Sequence, residues 1–394
     1  MLKTYKYRLY PDRKQIEKLE SILNACRFLY NSALEERKEA WRKQRVGIGY
    51  NQQANELVEC KKAIPELSNV YSQVLQDVLR RLNKAFQNFF RRLGNGEKPG
   101  YPRFKGRNRY NSLVYPQSGF SLEENRLHLA KIGDIKIKLH RRIEGQVKTL
   151  SLTREIDKWY ACFSVAAVLG AVAPKTIKSA VGVDVGLDSF ATLSTGEQIE
   201  NPRWFRNTER RLAHRQRSLS RKRLRSQSRN RQRIKVAKLH RRVANQRRDF
   251  QHKVSRQLVD AYDLIAYEDL NVKGMVRNHH LAKSISDAGW GQFIAFVCYK
   301  AEEAGGMAVA VTPSGTSVDC SDCGFPVPKS LAQRVHKCSN CGLKMDRDWN
   351  AARNILALAL PQGLRDVKPV EIEPLLSQKQ VRSVKQEATD FNRW

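Results

Sequence analysis

The sequence has few acidic residues for its number of basic ones. It contains 39 Asp and Glu against 72 Lys and Arg, which leaves a formal net charge of +33. Such an excess repels itself unless a polyanion neutralises it, so a nucleic acid is the expected partner and an anionic membrane surface is the alternative. A membrane-spanning segment is not expected, because the longest weakly polar run, residues 163–173, is too short to cross a bilayer.

Signals of several other protein classes are missing as well. There is no charged-then-apolar leader with a cleavage site, so we expect a cytosolic protein. There is no glycine-rich phosphate-binding loop, and no Ser or Cys is arranged as a nucleophile. Four of the eight cysteines are scattered among apolar neighbours, as is typical of buried thiols. These four are Cys26, Cys60, Cys162 and Cys298.

The other four cysteines form two Cys-x2-Cys pairs with 14 residues between them. They are Cys320, Cys323, Cys338 and Cys341. Two such pairs offer four soft ligands in a tetrahedron, which predicts a structural zinc site. A metal with four protein ligands has no open position, so we expect no catalytic role for it. Two disulfides, the alternative, fit a cytosolic chain poorly.

The N-terminal half combines one strand, three helices and a run of further strands. Tyr5, Tyr7 and Leu9 alternate with polar residues, which predicts a strand. Helical spacing follows over residues 15–43, 52–63 and 70–93. The apolar face predicted for the first helix consists of Ile16, Leu19, Leu23, Phe28 and Leu29. Strand-like runs at 127–130, 135–139, 147–152 and 159–168 predict a small antiparallel barrel, which the first strand completes.

Two stretches of this half are candidates for nucleic-acid contact. Gln76 and Arg80 lie on the polar face of the third helix, where a solvated face is the ordinary explanation. The loop over residues 94–109 interleaves aromatic and basic side chains, which suits phosphates and stacked bases. The candidate side chains in this loop are Tyr101, Arg103, Phe104 and Lys105. A plain basic linker is the alternative for the loop.

The C-terminal half reads as strand, strand, strand, helix, strand, helix, strand, helix, which matches an RNase H-like core. The strands are predicted at residues 181–185, 190–193, 197–200, 264–267 and 307–311, and the later helices at 285–304 and 348–360. Residues 203–256 hold 21 Lys or Arg and two acidic residues. Their apolar residues keep a helical period, so we predict two long helices that break near residues 226–230.

Three carboxylates stand at element ends in this half: Asp184, Glu268 and Asp348. In an RNase H-like core such positions converge, and together they can hold two magnesium ions that cleave a phosphodiester. A lone Asp that caps a turn is the ordinary alternative for Asp184. Asp346 competes with Asp348, which we favour because the helix is expected to begin at Trp349. Four nearby residues receive other roles: Asp188 and Asp269 are interpreted as structural or solvated, and His279 and His280 as nucleic-acid contacts in a basic loop.

Six stretches of the chain can be compared with a known family. They are Tyr-Arg-Leu-Tyr-Pro at 7–11, Gly-Tyr-Pro-Arg-Phe-Lys at 100–105, Gly-Val-Asp-Val-Gly-Leu at 182–187, Val-Ala-Asn-Gln-Arg-Arg-Asp-Phe at 243–250, Glu-Asp-Leu-Asn-Val-Lys-Gly-Met at 268–275, and the two cysteine pairs that lead into Asp-Arg-Asp-Trp-Asn-Ala-Ala at 346–352. Together they closely resemble the TnpB family, the second open reading frame of small bacterial insertion sequences. The resemblance covers about residues 1–360. It adds Arg247 and Arg248 as candidate nucleic-acid contacts.

The resemblance implies an RNA-guided DNA endonuclease related to the type V CRISPR effectors. A RuvC core would carry Asp184, Glu268 and Asp348 with two Mg²⁺, and a zinc ribbon would be inserted in it. A WED-like barrel with a REC-like helical insertion would bind guide RNA from the element's own end and read a short motif beside the double-stranded target. Base pairing would then select the sequence. The implied particle is a monomeric ribonucleoprotein, cytoplasmic and nucleoid-associated in a bacterium or archaeon.

The implied multidomain α+β architecture divides the chain as follows. The barrel takes residues 1–12 and 112–174, the helical insertion 13–111, the nuclease core 175–316, the zinc ribbon 317–345, the last nuclease helix 346–360 and a flexible tail 361–394. Two other functions remain open. One is a transposase that joins DNA strands with the same carboxylates, and the other is a non-catalytic nucleic-acid-binding regulator.

Overall fold

The computed structural model describes residues 2–107, 109–166, 175–330 and 333–360. They form two compact units, one with the residues up to 166 and the other with those from 175 onward. The predicted tail over 361–394 and the end of the predicted strand at 167–168 lie outside the described residues. None of the helices in the described part has both the length and the apolar character that crossing a bilayer requires.

The first unit contains four helices. They are α1 (Arg13–Gln44), α2 (Tyr50–Ala63), α3 (Pro65–Ser68) and α4 (Ser72–Gly94). Helix α1 begins where it does because Asp12 and Gln15 exchange hydrogen bonds between side chain and backbone N–H, at 2.8 and 3.0 Å. The three predicted helices are confirmed, whereas α3 was not predicted. The predicted apolar face of α1 is wrong in part, since Ile16 and Phe28 are 37% and 48% exposed.

A seven-stranded antiparallel sheet completes the first unit. Its strands are β1 (Leu2–Tyr10), β2 (Ser112–Tyr115), β3 (Phe120–Glu123), β4 (Arg126–Leu129), β5 (Gly133–Lys138), β6 (Gln146–Glu155) and β7 (Lys158–Ala166), in the order β2-β6-β7-β1-β5-β4-β3. The N-terminal strand β1 lies between β7 and β5, so its role in completing the sheet is confirmed. Residues of the helices and of β1 belong to one hydrophobic core.

The sheet is a half-barrel. Within the part of the chain that the structure describes, β2 and β3 are the edges and do not pair with each other. Side chains bring these edges together, since the rings of Tyr115 on β2 and Phe120 on β3 lie 6.4 Å apart. The Tyr115 hydroxyl also donates a hydrogen bond of 3.2 Å to the carbonyl of Ala130. Side chains rather than a continuous ladder therefore join the edges of the predicted barrel.

The second unit is built on a five-stranded sheet. Its strands are β8 (Ala180–Val185), β9 (Ser189–Leu193), β10 (Gln198–Glu200), β11 (Leu264–Glu268) and β12 (Met307–Val311), in the order β10-β9-β8-β11-β12. Strands β8, β11 and β12 are parallel, whereas β9 and β10 run antiparallel to their neighbours. All five predicted strands are confirmed. Along the chain, these strands and the helices between them follow the order that the sequence predicted for an RNase H-like core.

Six helices accompany this sheet. They are α5 (Trp204–Ser220), α6 (Gln227–Ala261), α7 (Val272–Met275), α8 (His279–Ala288), α9 (Trp290–Glu303) and α10 (Arg347–Ala359). Helices α5 and α6 confirm the predicted pair of long basic helices, with the break at residues 221–226. The single helix predicted over 285–304 is wrong. Gly289, with φ of 67°, ends α8 and begins α9. His279 and His280 open α8 and are not in a loop.

A small insertion follows β12. It contains the two-stranded sheet of β13 (Val335–Lys337) and β14 (Lys344–Asp346), and α10 begins directly after it. The four clustered cysteines belong to this insertion. The chain therefore passes from the last strand of the sheet through the cysteines before it reaches the last helix.

Helix α10 packs directly on β8 at one glycine. A Cβ atom built on Gly182 would overlap the carbonyl oxygen of Ala352 and lie 2.8 Å from the backbone nitrogen of Leu356. Ala352 is fully buried there. Only a residue without a side chain permits this approach of helix and strand. The approach fixes the height of α10 over β8.

Replacing Gly182 by Ala is expected to lower the free energy of unfolding by about 1–3 kcal/mol, because the new methyl group meets backbone atoms that cannot rotate away. Urea denaturation measures the change. Gly291→Ala is the matched control, since Gly291 lies in α9 with no atom within 4 Å of an added Cβ. This control should be neutral or stabilising by roughly 0.5–1 kcal/mol. Equal stability of the two variants would contradict the close packing.

Candidate metal centre

Asp184 and Glu268 lie side by side at the carboxyl ends of two parallel strands. Val183 on β8 pairs with Tyr267 on β11, so the next residue on each strand is one of the two acids. Neighbouring strands are about 4.8 Å apart, and residues at the same level of a parallel pair point to the same face. The two carboxylates therefore share one face of the sheet.

Asp348 reaches the same edge from the first turn of α10. The helix begins two residues earlier than predicted, at Arg347, and Asp346 is its N-cap. One oxygen of Asp346 accepts hydrogen bonds from the backbone N–H groups of Asp348 (2.9 Å) and Trp349 (3.1 Å). A Cβ atom on Gly186, just after β8, would lie 4.0 Å from Oδ2 of Asp348. Asp346 thus caps the helix, while Asp348 extends to the end of β8.

Asp184 is buried close to the other two carboxylates. Burial, and then the negative charges of Glu268 and Asp348, raise the pKa of Asp184 well above its usual value. Burial also raises the pKa of Glu268. The hydrogen bond that the Thr316 hydroxyl donates to Glu268 lowers this pKa, but by less than burial raises it. Carboxylates that are buried close to other negative charges are stabilised by a positive charge placed between them. The centre therefore has the electrostatics of a cation site.

Two arginines already neutralise part of this charge. The guanidinium of Arg347 donates hydrogen bonds of 2.9 and 2.8 Å to Oδ1 of Asp348. Arg334 lies 3.4 Å from Oδ2 of Asp348 and also pairs with Asp188. Neither arginine was predicted, and neither was Thr316. The sequence gives no signal for Arg334, which lies between the two cysteine pairs, whereas Arg347 is adjacent to Asp348.

The three carboxylates do not form a tight group of ligand atoms. Among the described residues, only the four clustered cysteines form a group of three or more Cys, His, Asp or Glu with all ligand atoms within 4.8 Å of one another. Carboxylate oxygens are the ligand type that suits Mg²⁺. The acids at this edge of the sheet therefore have the chemistry of magnesium ligands without the spacing of a closed single-ion site.

The four clustered thiols have the geometry of a tetrahedral metal site. The sulfur of Cys320 lies 3.6 Å from that of Cys341, and the sulfur of Cys323 lies 3.6 Å from that of Cys338. A tetrahedron with metal–sulfur bonds of 2.3 Å has edges of about 3.8 Å. All four cysteines are free, and a disulfide would need about 2.05 Å. The disulfide alternative is therefore wrong.

The two Cys-x2-Cys turns make the same backbone hydrogen bonds. The N–H of Cys320 donates to the carbonyl of Phe325 (3.0 Å), and the N–H of Gly324 donates back to the carbonyl of Cys320 (2.9 Å). Cys338, Leu343 and Gly342 repeat the pattern at 2.8 and 3.2 Å. Gly324 and Gly342 have φ of 72° and 79°, so glycine is favoured at both.

Two asparagines join the first cysteine turn to α10. The fully buried Asn350 accepts a hydrogen bond from the N–H of Ser321 (2.9 Å) and donates one to the carbonyl of Asp319 (2.8 Å). Asn354 donates to the carbonyls of Asp319 and Thr316, both at 2.8 Å. Since Ser321 lies between two of the cysteines and Thr316 contacts Glu268, the cysteine cluster and the carboxylate centre are parts of one hydrogen-bonded assembly.

The predicted nucleic-acid residues of the first unit form an exposed aromatic and basic surface. Tyr101 and Phe104 are 44% and 46% exposed, and Lys38 lies 4.9 Å above the ring of Phe104. Tyr101 contacts two rings of α4, while Arg103 is exposed. The side chain of Asn31 on α1 exchanges hydrogen bonds with the backbone of Lys105, which docks the loop.

The two candidates on α4 differ in exposure. Gln76 is half-buried, and Arg80 is exposed beside Tyr50.

The side chain of Arg247 pairs with another residue of the second unit. Its guanidinium donates a hydrogen bond of 2.9 Å to Asp287 of α8, and Asp287 also accepts the backbone N–H of Phe205 at 3.0 Å. Gln251 donates to the carbonyls of Ala288 (2.8 Å) and Gly289 (3.1 Å). This part of the resembling stretch at 243–250 therefore fixes the break between α8 and α9. Arg248 beside it is half-buried.

Three family models match the chain. The OrfB_IS605 family, described as "Probable transposase", matches residues 139–279. The "Cas12f1-like, TNB domain" model matches residues 290–355, which include the cysteine cluster and the start of α10. A model described as "Helix-turn-helix domain" matches residues 1–45. In that last range the described residues form the strand β1 and the single unbroken helix α1.

Relatives match over nearly the whole chain. A Streptomyces pristinaespiralis protein, whose name describes an RNA-guided DNA endonuclease, is 38% identical over 369 residues, or 91% of this chain and 89% of the relative. InsQ of Escherichia coli K12, with a similar name, is 33% identical over 95% of this chain and 97% of its own. A solved structure of the mini-RNA-guided endonuclease CRISPR-Cas_phi3 is 10% identical, covers 91% and 92% of the two chains, and gives a TM-score of 0.48.

The chain has a mixed α+β architecture, with a half-barrel sheet in one unit and a five-stranded mixed sheet and a cluster of four cysteines in the other. Within that fold class the match to relatives over nine tenths of the chain decides the family. The chain belongs to the TnpB family, whose OrfB_IS605 model it matches. The resemblance drawn from the sequence is thereby confirmed.

Replacing Asp184 by Asn is expected to raise the Tm of the metal-free protein at neutral pH. Burial and like charges raise the folded-state pKa of Asp184, so the folded protein binds more protons than the unfolded one, and stability is lost as pH rises through that pKa. Asn cannot ionise, so the variant does not lose stability in this way. Its advantage in Tm should disappear as the pH falls toward about 4, where the unfolded carboxyl group also becomes protonated.

Thermal melting with and without Mg²⁺ measures both effects. Mg²⁺ should raise the Tm of the wild type, because it binds the folded state, but should do so far less in Asp184→Asn. Asp269→Asn is the matched control, since Asp269 is an exposed acid beside Glu268. A variant that melts at or below the wild-type temperature at neutral pH would show that the carboxylates do not repel as described.

Proposed function

We propose that this protein is an RNA-guided DNA endonuclease that hydrolyses double-stranded DNA at the centre formed by Asp184, Glu268 and Asp348. The observation that carries the proposal is the convergence of three carboxylates, two of them with raised pKa values, in a chain of net charge +33. Membership of the TnpB family and the names of two near-full-length relatives support it. Negative charge builds up in the transition state of phosphodiester hydrolysis, and cations held by these carboxylates would stabilise it.

The three carboxylates would hold two Mg²⁺ ions, which supply an activated water and stabilise the leaving oxygen. Asp184, central among the acids, is positioned by β8. Glu268 is oriented by the hydroxyl of Thr316, which is itself 2% exposed. Asp348 is positioned by α10. The guanidinium groups of Arg334 and Arg347, next to Asp348, can bind a phosphate by charge-assisted hydrogen bonds.

The guide RNA would come from the end of the element that encodes the protein. Base pairing between guide and target selects the sequence, while the protein holds the nucleic acids mainly through their backbones. The exposed aromatic and basic surface around Tyr101, Arg103 and Phe104 is suited to the guide scaffold or to the short motif beside the target, because base faces stack on rings and cations contact phosphates. The ribonucleoprotein is proposed to be monomeric.

The four clustered cysteines would hold a structural Zn²⁺. Their sulfur spacing fits a tetrahedral ion, and four thiolates leave no open position for a substrate. Asn350 joins the Cys320–Cys323 turn to α10, two residues from Asp348. The proposed metal therefore supports the carboxylate centre without taking part in the reaction.

Asp184→Ala is expected to reduce cleavage of matched DNA at least about 100-fold. Replacing a residue that only supports a metal ligand costs about 10–100-fold in metal affinity or activity, and Asp184 is proposed to be a ligand itself. The same variant should still co-purify with its RNA, since Asp184 is proposed to act in cleavage and not in RNA binding. Sequencing of the co-purified RNA supplies the guide, and gel analysis of labelled double-stranded DNA with Mg²⁺ measures cleavage.

The control for this experiment is Asp269→Ala, which removes an exposed carboxylate next to Glu268 and should cleave at the wild-type rate. If the wild-type ribonucleoprotein leaves matched DNA uncut with Mg²⁺, the chain is a nucleic-acid-binding regulator. If joined strands form without any dependence on RNA, the transposase function is correct, in agreement with the description of the matching OrfB_IS605 model.

Cys338→Ser is expected to lower both the zinc content and the Tm, because metal binding contributes directly to the folding of such modules. Atomic absorption of the purified chain and thermal melting measure the two effects. Cys60→Ser is the matched control, since Cys60 is a half-buried free thiol on α2, outside the cluster. Unchanged zinc content and melting in Cys338→Ser would contradict the assignment of the four cysteines as ligands.

A further inference from the structure

The turn between α5 and α6, residues 221–226, has an unusual combination of side chains, and we call it the hairpin tip. It reads Arg-Lys-Arg-Leu-Arg-Ser, so four cations surround a single leucine. Leu224 is 74% exposed, more than any other large apolar side chain in the described residues. Single exposed leucines are common and need no explanation by themselves. The hairpin tip differs because its backbone is fixed.

Hydrogen bonds from within the hairpin hold the tip in one shape. The guanidinium of Arg229 donates to the carbonyl of Leu219 (2.8 Å) and to that of Lys222 (3.1 Å). Ser226 accepts the backbone N–H of Arg229 (3.1 Å) and donates its hydroxyl hydrogen to the carbonyl of Arg223 (2.8 Å). A flexible turn could fold its leucine against its own helices. This turn is bonded across its base and presents Leu224 to solvent.

The hairpin tip is also far from the hydrophobic core of its unit. Helix α6 contributes to that core near its C-terminal end, through Val254, Leu258 and Val259. At 1.5 Å per residue, the start of α6 lies about 40 Å along the helix axis from Val254. Leu224 therefore has no part in holding the sheet or the carboxylate centre. A substitution of Leu224 therefore changes the surface of the hairpin tip without changing the core.

The chemistry of the hairpin tip matches one feature of nucleic acids. Cations neutralise phosphates, which surround every duplex. The apolar surface of a nucleic acid is the flat face of its bases, and proteins reach it with apolar wedges only where stacking is interrupted. The end of a duplex is such a place, because the last base pair has one uncovered face with a phosphate backbone on either side of it. A single leucine flanked by arginines complements that arrangement.

We propose that the hairpin tip binds the end of an RNA–DNA hybrid duplex, with Leu224 against the last base pair and Arg221 and Arg223 on the two backbones. This proposal rests on the proposed function, because a guide paired with its target forms such a hybrid and such an end. It assigns a site to residues that neither the carboxylate centre nor the cysteine cluster uses. Through Leu224 the basic hairpin would recognise the end of the duplex, in addition to the phosphates along it.

The test measures binding of the full-length chain, purified free of nucleic acid, to a synthetic 20-base-pair RNA–DNA hybrid with blunt ends. A second hybrid of the same sequence has both ends closed by loops, which cover the terminal base pairs. Leu224→Ser should weaken binding to the blunt hybrid about five- to tenfold and to the closed hybrid less than twofold. Leu224→Phe should bind the blunt hybrid at least as tightly as the wild type, because a ring covers more of a base face.

Salt dependence separates the leucine from the arginines. Leu224→Ser removes no charge, so the slope of log K against log salt should be unchanged. The double variant Arg221→Ser/Arg223→Ser should reduce that slope by about 1.4–1.8, the value for two phosphate contacts. Leu358→Ser is the matched control, since Leu358 is 59% exposed on α10 of the same unit. It should bind both hybrids as the wild type does.

Three results would overturn the proposal: no effect of Leu224→Ser, an equal loss on blunt and closed hybrids, or a loss on a blunt DNA duplex that is absent on the hybrid. Arg229→Met, which removes the guanidinium across the base of the turn, should reproduce the loss on the blunt hybrid. Thermal melting confirms that each variant is folded. Cleavage by the ribonucleoprotein is measured separately, so failure at the hairpin tip and failure of the nuclease proposal are distinguishable.

Discussion

The contact on which the carboxylate centre depends is the close approach of α10 to β8 at Gly182. The absence of a side chain there lets the carbonyl of Ala352 and the nitrogen of Leu356 come against the strand. Asp348 lies one helical turn before Ala352, and Asp184 lies two residues after Gly182 on the same face. The depth at which the helix packs thus sets how close these two acids come. A looser helix would leave Asp184 and Glu268 without their third partner.

Other contacts hold α10 at the correct rotation. The indole of Trp349 donates a hydrogen bond of 3.0 Å to the carbonyl of Ser194 and lies 3.2 Å from where a Cβ of Gly196 would be. Asn350 and Asn354 fasten the opposite side to the loop of the first cysteine pair. The helix that carries one acid is therefore held by the sheet and by the cysteine module together. This accounts for the position of a small cysteine-rich insertion immediately before the last helix.

Much of this arrangement was predictable from the sequence. Periodicity located nearly every long strand and helix, and the two Cys-x2-Cys pairs indicated that the four cysteines come together, because their spacing leaves few alternatives. The acids Asp184, Glu268 and Asp348 were identified because they end apolar runs or open a helix. Arg334, Thr316 and the role of Asn350 were not, since each acts through a contact between residues that are distant in sequence. The break at Gly289 was missed because apolar spacing continues across it, and only packing against Gln251 and Arg247 reveals the change of direction.

Cleavage at the proposed centre requires that divalent cations bind among the three acids. The most direct measurement is the anomalous scattering of Mn²⁺ in crystals of the wild-type protein. Two peaks about 3.5–4 Å apart are expected, with Asp184 between them and with Glu268 and Asp348 each beside one. Crystals that show no anomalous peak at these acids in saturating Mn²⁺, while the four cysteines remain ordered around their own metal, would contradict the proposed centre.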